Sequence, residues 1–192
     1  ELYFEYHRGV MTTQADHKAN MRHSEEQVEN AEKWSSIAWL DGRKYPGAEI
    51  TEDWKKVLFN QFHDLAAGSG IGVIYKDAQK DYDVVRWSTD KISAGALDTI
   101  GERVDTRGEG IPVIVYNPLG WERSGDVHVH VQLPEAGAAN LAVVDPSAKG
   151  QAVAPIRSSV DARTGVADLT VHVSGVPSLG YKVVRIVSNK RG

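Results

Sequence analysis

The residues in this chain best suited to chemistry are a few histidines and carboxylates. The run Asn60 to Gly72 reads NQFHDLAAGSGIG, with His63 and Asp64 side by side and a glycine-rich stretch behind them. An imidazole offers a nitrogen to a metal, and a carboxylate offers acceptors to a metal or to sugar hydroxyls. A second pair lies in DVHVHVQL, where His128 and His130 stand two apart on a strand-like run and so share a face. Such a pair can hold zinc, but the alternation with Val127, Val129 and Val131 is read more simply as the solvent face of an edge or outer strand. Gly68, Ser69, Gly70 and Gly72 precede a helical pattern, as in a phosphate cradle. No P-loop lysine and no preceding strand accompany them, which argues against that use. His17 and His23 sit among polar helix residues and read as solvated.

Composition narrows the classes. The chain has 192 residues, 41% hydrophobic and 25% charged, the make-up of a soluble globular protein with one large or two small domains. A formal charge of -4 gives no electrostatic case for nucleic acid or an anionic membrane. No apolar run approaches the roughly 20 residues that span a bilayer. There is no cysteine, so a metal must use His, Asp or Glu. That absence fits a reducing compartment, and a cytoplasmic location is expected. The chain opens on Glu1 in ELYFEYHRGV, without the apolar core of a signal peptide. It is expected to begin inside a longer gene product.

The elements that must position the pair follow from periodicity. From Gln14 to Leu40, Val28, Ala31, Trp34 or Ser35, and Ala38 recur at steps of three and four, which predicts a helix. DGRKYPG, Asp41 to Gly47, reads as a loop. Thr51 is the expected N-cap of a second helix, with Glu52 and Asp53 in its first turn. Ile71, Tyr75, Ala78, Tyr82, Val85, Thr89, Ile92, Ala96 and Ile100 form the seam of a third. Trp34, Trp39 and Trp54 fall on helical stripes and are expected in the core; Trp87 and Trp121 are open to other uses, including a sugar platform. From Gly108 the period becomes two. IPVIVYNP, DVHVHVQLP, LAVVDP, VADLTVHVSG and LGYKVVRIV are short strands bounded by Gly, Pro, Asn or Asp. The expected fold class is α+β: a three-helix bundle over 14–107, then an antiparallel β-sandwich-like domain over 108–192, small for a complete sandwich, with 1–13 as the end of a preceding segment.

On a helix from Thr51 to Leu65, Trp54, Val57, Leu58, Phe62 and Leu65 form the bundle-facing stripe. His63, nine residues after Trp54, then points outward, with Phe59 one turn before it on the same side. An aromatic there suggests that something covers this second face. One histidine and one aspartate are too few for a zinc site, and a histidine near a helix C-terminus is also favoured by the dipole alone. The residues by themselves leave a surface histidine and a ligand both open.

NQFHDLAAGSGIGVIYKDA resembles the middle-domain segment of glycoside hydrolase family 38, the zinc-dependent α-mannosidases. The match rests on Gln61, Phe62, His63, Asp64, Gly68 and Ser69. ELYFEYHRGVMTTQADHKANMR is similar to the strand and first middle-domain helix of that family. VIVYNPLGWERSG and VPSLGYKVVRI are similar to the opening strands of its following β domain. The loop departs from the family where Ala66-Ala67-Gly68-Ser69-Gly70 replaces the usual proline and paired serines.

The resemblance implies a retaining α-mannosidase acting on α-mannosides or mannose-containing oligosaccharides with Zn2+ as cofactor. It implies that His63 is the last zinc ligand and Asp64 binds mannose hydroxyls. The nucleophile, the acid catalyst and the other ligands belong to an N-terminal catalytic domain of the same polypeptide. Glu1, Glu5 and Asp16 do not match the catalytic motifs, so no catalytic residue is expected in this chain. His7 in EYHRG fits the family pattern as a structural residue. The alternative is a non-catalytic helical and β scaffold or carbohydrate-binding module of shared ancestry.

Overall fold

The structure is a computed structural model that describes residues 8–134, 140–148 and 152–188. Glu1, Glu5 and His7 lie outside the described residues. The chain separates into two compact units, the first ending at Arg103 and the second beginning at Val104.

Helices make up the first unit. α1 spans Ala15–Leu40, α2 Gly47–Asn60, α3 His63–Ala66 and α4 Gly72–Gly101. α1, α2 and α4 pack pairwise on one another. Val28 of α1, Ile50 and Val57 of α2 and Val85 of α4 form the buried centre, with Tyr45, Trp54 and Ile92 against it. α1 follows the expected stripe: Val28, Ala31, Trp34, Ser35 and Ala38 are all buried. The α4 seam buries Ala78, Tyr82, Val85, Thr89, Ala96 and Ile100.

Several expectations fail in this unit. Thr51 caps nothing. α2 already starts at Gly47, and the Thr51 hydroxyl donates to the Gly47 carbonyl at 2.7 Å, the mid-helix back-bond of a threonine. With four more residues at its start, α2 buries Ile50, Asp53, Val57 and Asn60, while Leu58 and Phe62 are exposed. The first-turn acid is Glu49. Trp39 is exposed near the end of α1 rather than in the core, and Ile71 is exposed at the N-cap of α4. His17, expected to be solvated, is buried against the rings of Tyr75 and Tyr82, because the start of α1 packs on α4.

In the second unit every pairing between strands is antiparallel. The strands are β1 Ile111–Asn117, β2 Arg123–Gln132, β3 Leu141–Val144, β4 Ala152–Val153, β5 Arg157–Val160, β6 Val166–Val176 and β7 Gly180–Ser188. One sheet has the order β1-β7-β3-β4 and the other β2-β6-β5. Residues of both sheets, including Val143, Val184, Ile186, Leu169 and Val171, meet in one aliphatic cluster. Alternation explains the burial: β6 puts Ala167, Leu169, Val171 and Val173 inward and Asp168 and His172 outward. Among the described residues no helix is long and apolar enough to cross a membrane.

Candidate functional site

The His63–Asp64 pair is exposed, but a broken helix presents it. α2 stops at Asn60, whose buried amide donates to the Lys56 carbonyl at 2.9 Å and to Asp81 Oδ2 at 3.1 Å. Gln61 is tied back to α1 through its amide, 2.5 Å from Glu25 Oε1. Phe62 then turns extended, φ -51 and ψ 138, which ends the helical hydrogen bonding. Its carbonyl receives the N–H groups of Leu65 and Ala66, both at 2.9 Å, and so starts the single turn α3.

His63 and Asp64 open that turn, and their side chains are 79% and 61% exposed. His63 Nε2 stands 3.5 Å from Asp64 Oδ1, so both side chains reach the same side. The Phe62 ring packs on the imidazole with centroids 4.2 Å apart. Phe59, on the expected outer side, is 73% exposed. The pair therefore faces solvent with one aromatic ring against the imidazole. The expected continuous helix would also have exposed His63, but only by burying Phe62.

The rear of the loop is closely fitted. Gly68 has φ +80, and a Cβ there would lie 2.8 Å from the carbonyl oxygen of Thr13. Glycine is required by both the left-handed backbone and that approach. The Tyr75 hydroxyl accepts the Gly70 N–H at 3.1 Å. Sequence reading placed Tyr75 in a packing seam and missed this second contact; its only signal was a tyrosine, rather than an aliphatic, three residues after the last glycine of the run.

The remaining candidates separate from this site. His128 and His130 lie on the outward face of β2, an edge strand. His130 Nδ1 pairs with Asp168 Oδ1 at 2.7 Å across to β6, and His128 Nδ1 faces Thr170 Oγ1 at 3.1 Å. His23 is exposed. Trp87 is exposed with the Lys91 ammonium 5.3 Å from its ring centre, and Trp121 is exposed after β1. Among the described residues no three His, Asp or Glu side chains form a metal-holding group.

The family model of the α-mannosidase middle domain matches residues 5–100. The chain belongs to the α-mannosidases of glycoside hydrolase family 38. It is 32% identical over 164 residues to the α-mannosidase 2C1 of Mus musculus, covering 83% of this chain and 15% of that protein. It is 46% identical over 80 residues to an α-mannosidase of Saccharomyces cerevisiae, covering 40% of this chain and 7% of that one. A solved family 38 glycosyl hydrolase from Enterococcus faecalis has the same fold over 95% of this chain and 26% of its own, with a TM-score of 0.76 at 17% identity. The chain thus spans about one seventh of the length of the mouse relative.

Proposed function

We propose that this chain is the middle-domain segment, with the start of the following β region, of a zinc-dependent retaining α-mannosidase. His63 donates one zinc bond and Asp64 binds mannose hydroxyls. α1, α2 and α4 act as the three-helix bundle over 14–107, and 108–192 as the opening of a β-sandwich-like domain. The carrying observation is the exposed His63–Asp64 pair, braced from behind and with the exposed Phe62 ring packed on the imidazole. The comparison with much longer α-mannosidases supports a preceding domain of the same polypeptide as the cover for that face.

The donors fit zinc only in part, and in the way this reading requires. A zinc site takes about four ligands, and here His63 has only Asp64 beside it, with no group of three His, Asp or Glu side chains among the described residues. Such a residue completes a site whose other ligands stand on another domain. Bound zinc would hold sugar hydroxyls and help distort the ring. His63 would donate through a ring nitrogen. Asp64, beside it, would accept hydrogen bonds from the sugar and fix its orientation. Retaining hydrolysis needs two carboxyl groups roughly 5 Å apart across the bond, and this reading assigns both to the preceding domain. Substrates are then α-mannosides, and the absence of cysteine supports a reducing compartment such as the cytoplasm.

The test is made on the intact polypeptide. His63→Ala should lose zinc and activity, and with zinc stripped from both proteins it should unfold within about 0.5 kcal/mol of wild type, because the side chain is outside the core. Losses of residues that merely orient ligands already cost about 10- to 100-fold, and losing the ligand itself should cost at least that. Asp64→Asn should keep zinc and lose turnover. Full zinc and near-normal kcat/KM in His63→Ala would show that His63 is not the ligand.

A further inference from the structure

α3 has four residues, too few for a helix to hold its own orientation in water. Whatever aims His63 and Asp64 must therefore act from outside the turn. Tyr75, in the first turn of α4, reaches the inner side of the loop with its hydroxyl. That oxygen accepts the Gly70 N–H at 3.1 Å and lies 3.5 Å from the carbonyl oxygens of both Asp64 and Leu65. A phenol has one proton, so it serves one of the two carbonyls at a time. The Ser69 hydroxyl, 3.4 Å from the Asp64 carbonyl, is a second donor on the same side. The Tyr75 ring is held at its other end by His17, edge-on with centroids 5.4 Å apart, and His17 is itself buried against Tyr82. The side chain runs from the packed interior to the back of the loop.

We propose that Tyr75 is a positioning residue for the His63–Asp64 turn, its hydroxyl tying both ends of the loop to α4. This rests on the assignment of His63 and Asp64 made above. The ring gives packing and the hydroxyl gives position, so Tyr75→Phe removes the second and keeps the first. Errors of about 1 Å in a reacting site cost as much as about 100-fold, so a loosened turn shows in zinc binding and turnover before it shows in stability.

In the 192-residue chain, Tyr75→Phe should speed amide exchange at Gly70 by about three- to tenfold, the range a single hydrogen bond supplies, with the melting temperature unchanged. In the intact polypeptide the same variant should weaken zinc binding and lower kcat about tenfold, with a smaller change in KM. A purely structural role would lower the melting temperature and leave the zinc affinity of the folded enzyme alone. Unchanged Gly70 exchange overturns the proposal. So does wild-type zinc affinity and kcat in Tyr75→Phe when His63→Ala, measured alongside, has lost zinc. Full zinc in His63→Ala instead removes the ligand assignment itself, and the proposal falls with it.

Discussion

The two units fill their interiors differently. In the second unit the core is aliphatic, and only Asn117 and Arg185 are buried among its described polar residues. The first unit buries His17, Ser24, Ser35, Asp53, Asn60 and Thr89 beside its apolar residues. Some of these close on neighbours. Asp53 accepts the Ser88 hydroxyl at 2.7 Å, although burial still raises its carboxyl above the usual range. Asp81 meets Lys56 at 2.7 Å and the Asn60 amide; burial alone would raise its pKa, but these two partners hold it down. Others stay open: neither ring nitrogen of His17 nor the Tyr82 hydroxyl has a hydrogen-bond partner among the described residues. Sheet ladders satisfy the backbone and allow an aliphatic filling that tolerates hydrophobic exchange. The helices spend their interior on polar contacts that fix register, and the candidate site hangs from their ends. The comparison teaches that stability and positioning are separable here.

Tyr82 breaks that comparison most strongly. It is fully buried, and burial, with Asp81 and Glu25 nearby, pushes its hydroxyl up to about 12. Tyr82→Ala should cost about 3–5 kcal/mol, as for other large aromatics in a core. Tyr82→Phe should cost nothing measurable, because the hydroxyl it loses is unpaired. Denaturant unfolding followed by the helical circular dichroism signal reads both. A loss above about 1 kcal/mol in Tyr82→Phe would mean that the hydroxyl is satisfied after all.

The β unit gives the next effect. The buried Asn117 amide donates to the carbonyls of Trp121 at 2.7 Å, Pro177 at 3.0 Å and Val176 at 3.2 Å, and its oxygen accepts the Leu119 N–H at 3.1 Å. It pins the loop after β1 to the end of β6. Asn117→Ala leaves those groups short of partners and should cost about 1–3 kcal/mol. Denaturant unfolding followed by the fluorescence of Trp121, which stands in that loop, should show it. If this variant is neutral, the aliphatic core alone holds the unit together.

How much was legible follows the range of each interaction. α1 and α4 were readable because their stripes run for many turns. The long strands were readable because alternation repeats within each one. β4 and β5 were missed: they have two and four residues, mostly exposed, and little alternation to read. The start of α2 was misplaced because Thr51 has the chemistry of an N-cap, and only the structure shows its hydroxyl turned back to Gly47. His63 was placed outward by a helical wheel that the Phe62 break invalidates; its adjacency to Asp64 was the durable signal. The supports of the site were not legible at all. Gln61 to Glu25, Gly68 to Thr13 and Tyr75 to the loop join separate segments, and local periodicity carries no such information.

The smallest expected effect concerns His17 and sharpens the contrast through pH. Burial lowers its pKa below the ordinary value; the backbone of Asn60, near the ring but without hydrogen-bonding geometry, opposes this in part, and the charge of Lys18 adds to the lowering. The sign follows from proton binding. Below about 6.5, the ordinary histidine value, the unfolded chain takes up a proton that the folded chain refuses. Stability of the helical unit is therefore fully present above that pH and falls as the pH drops toward the depressed folded value. His17→Phe keeps an aromatic edge against Tyr75 and Tyr82 and removes the titration. Its melting temperature should depend less on pH than that of the wild type between neutrality and mild acid, and the two should differ least in slope above the ordinary histidine value. Equal slopes through the acid range would mean that His17 is protonated as readily folded as unfolded, and that the start of α1 opens to water where the structure shows it closed.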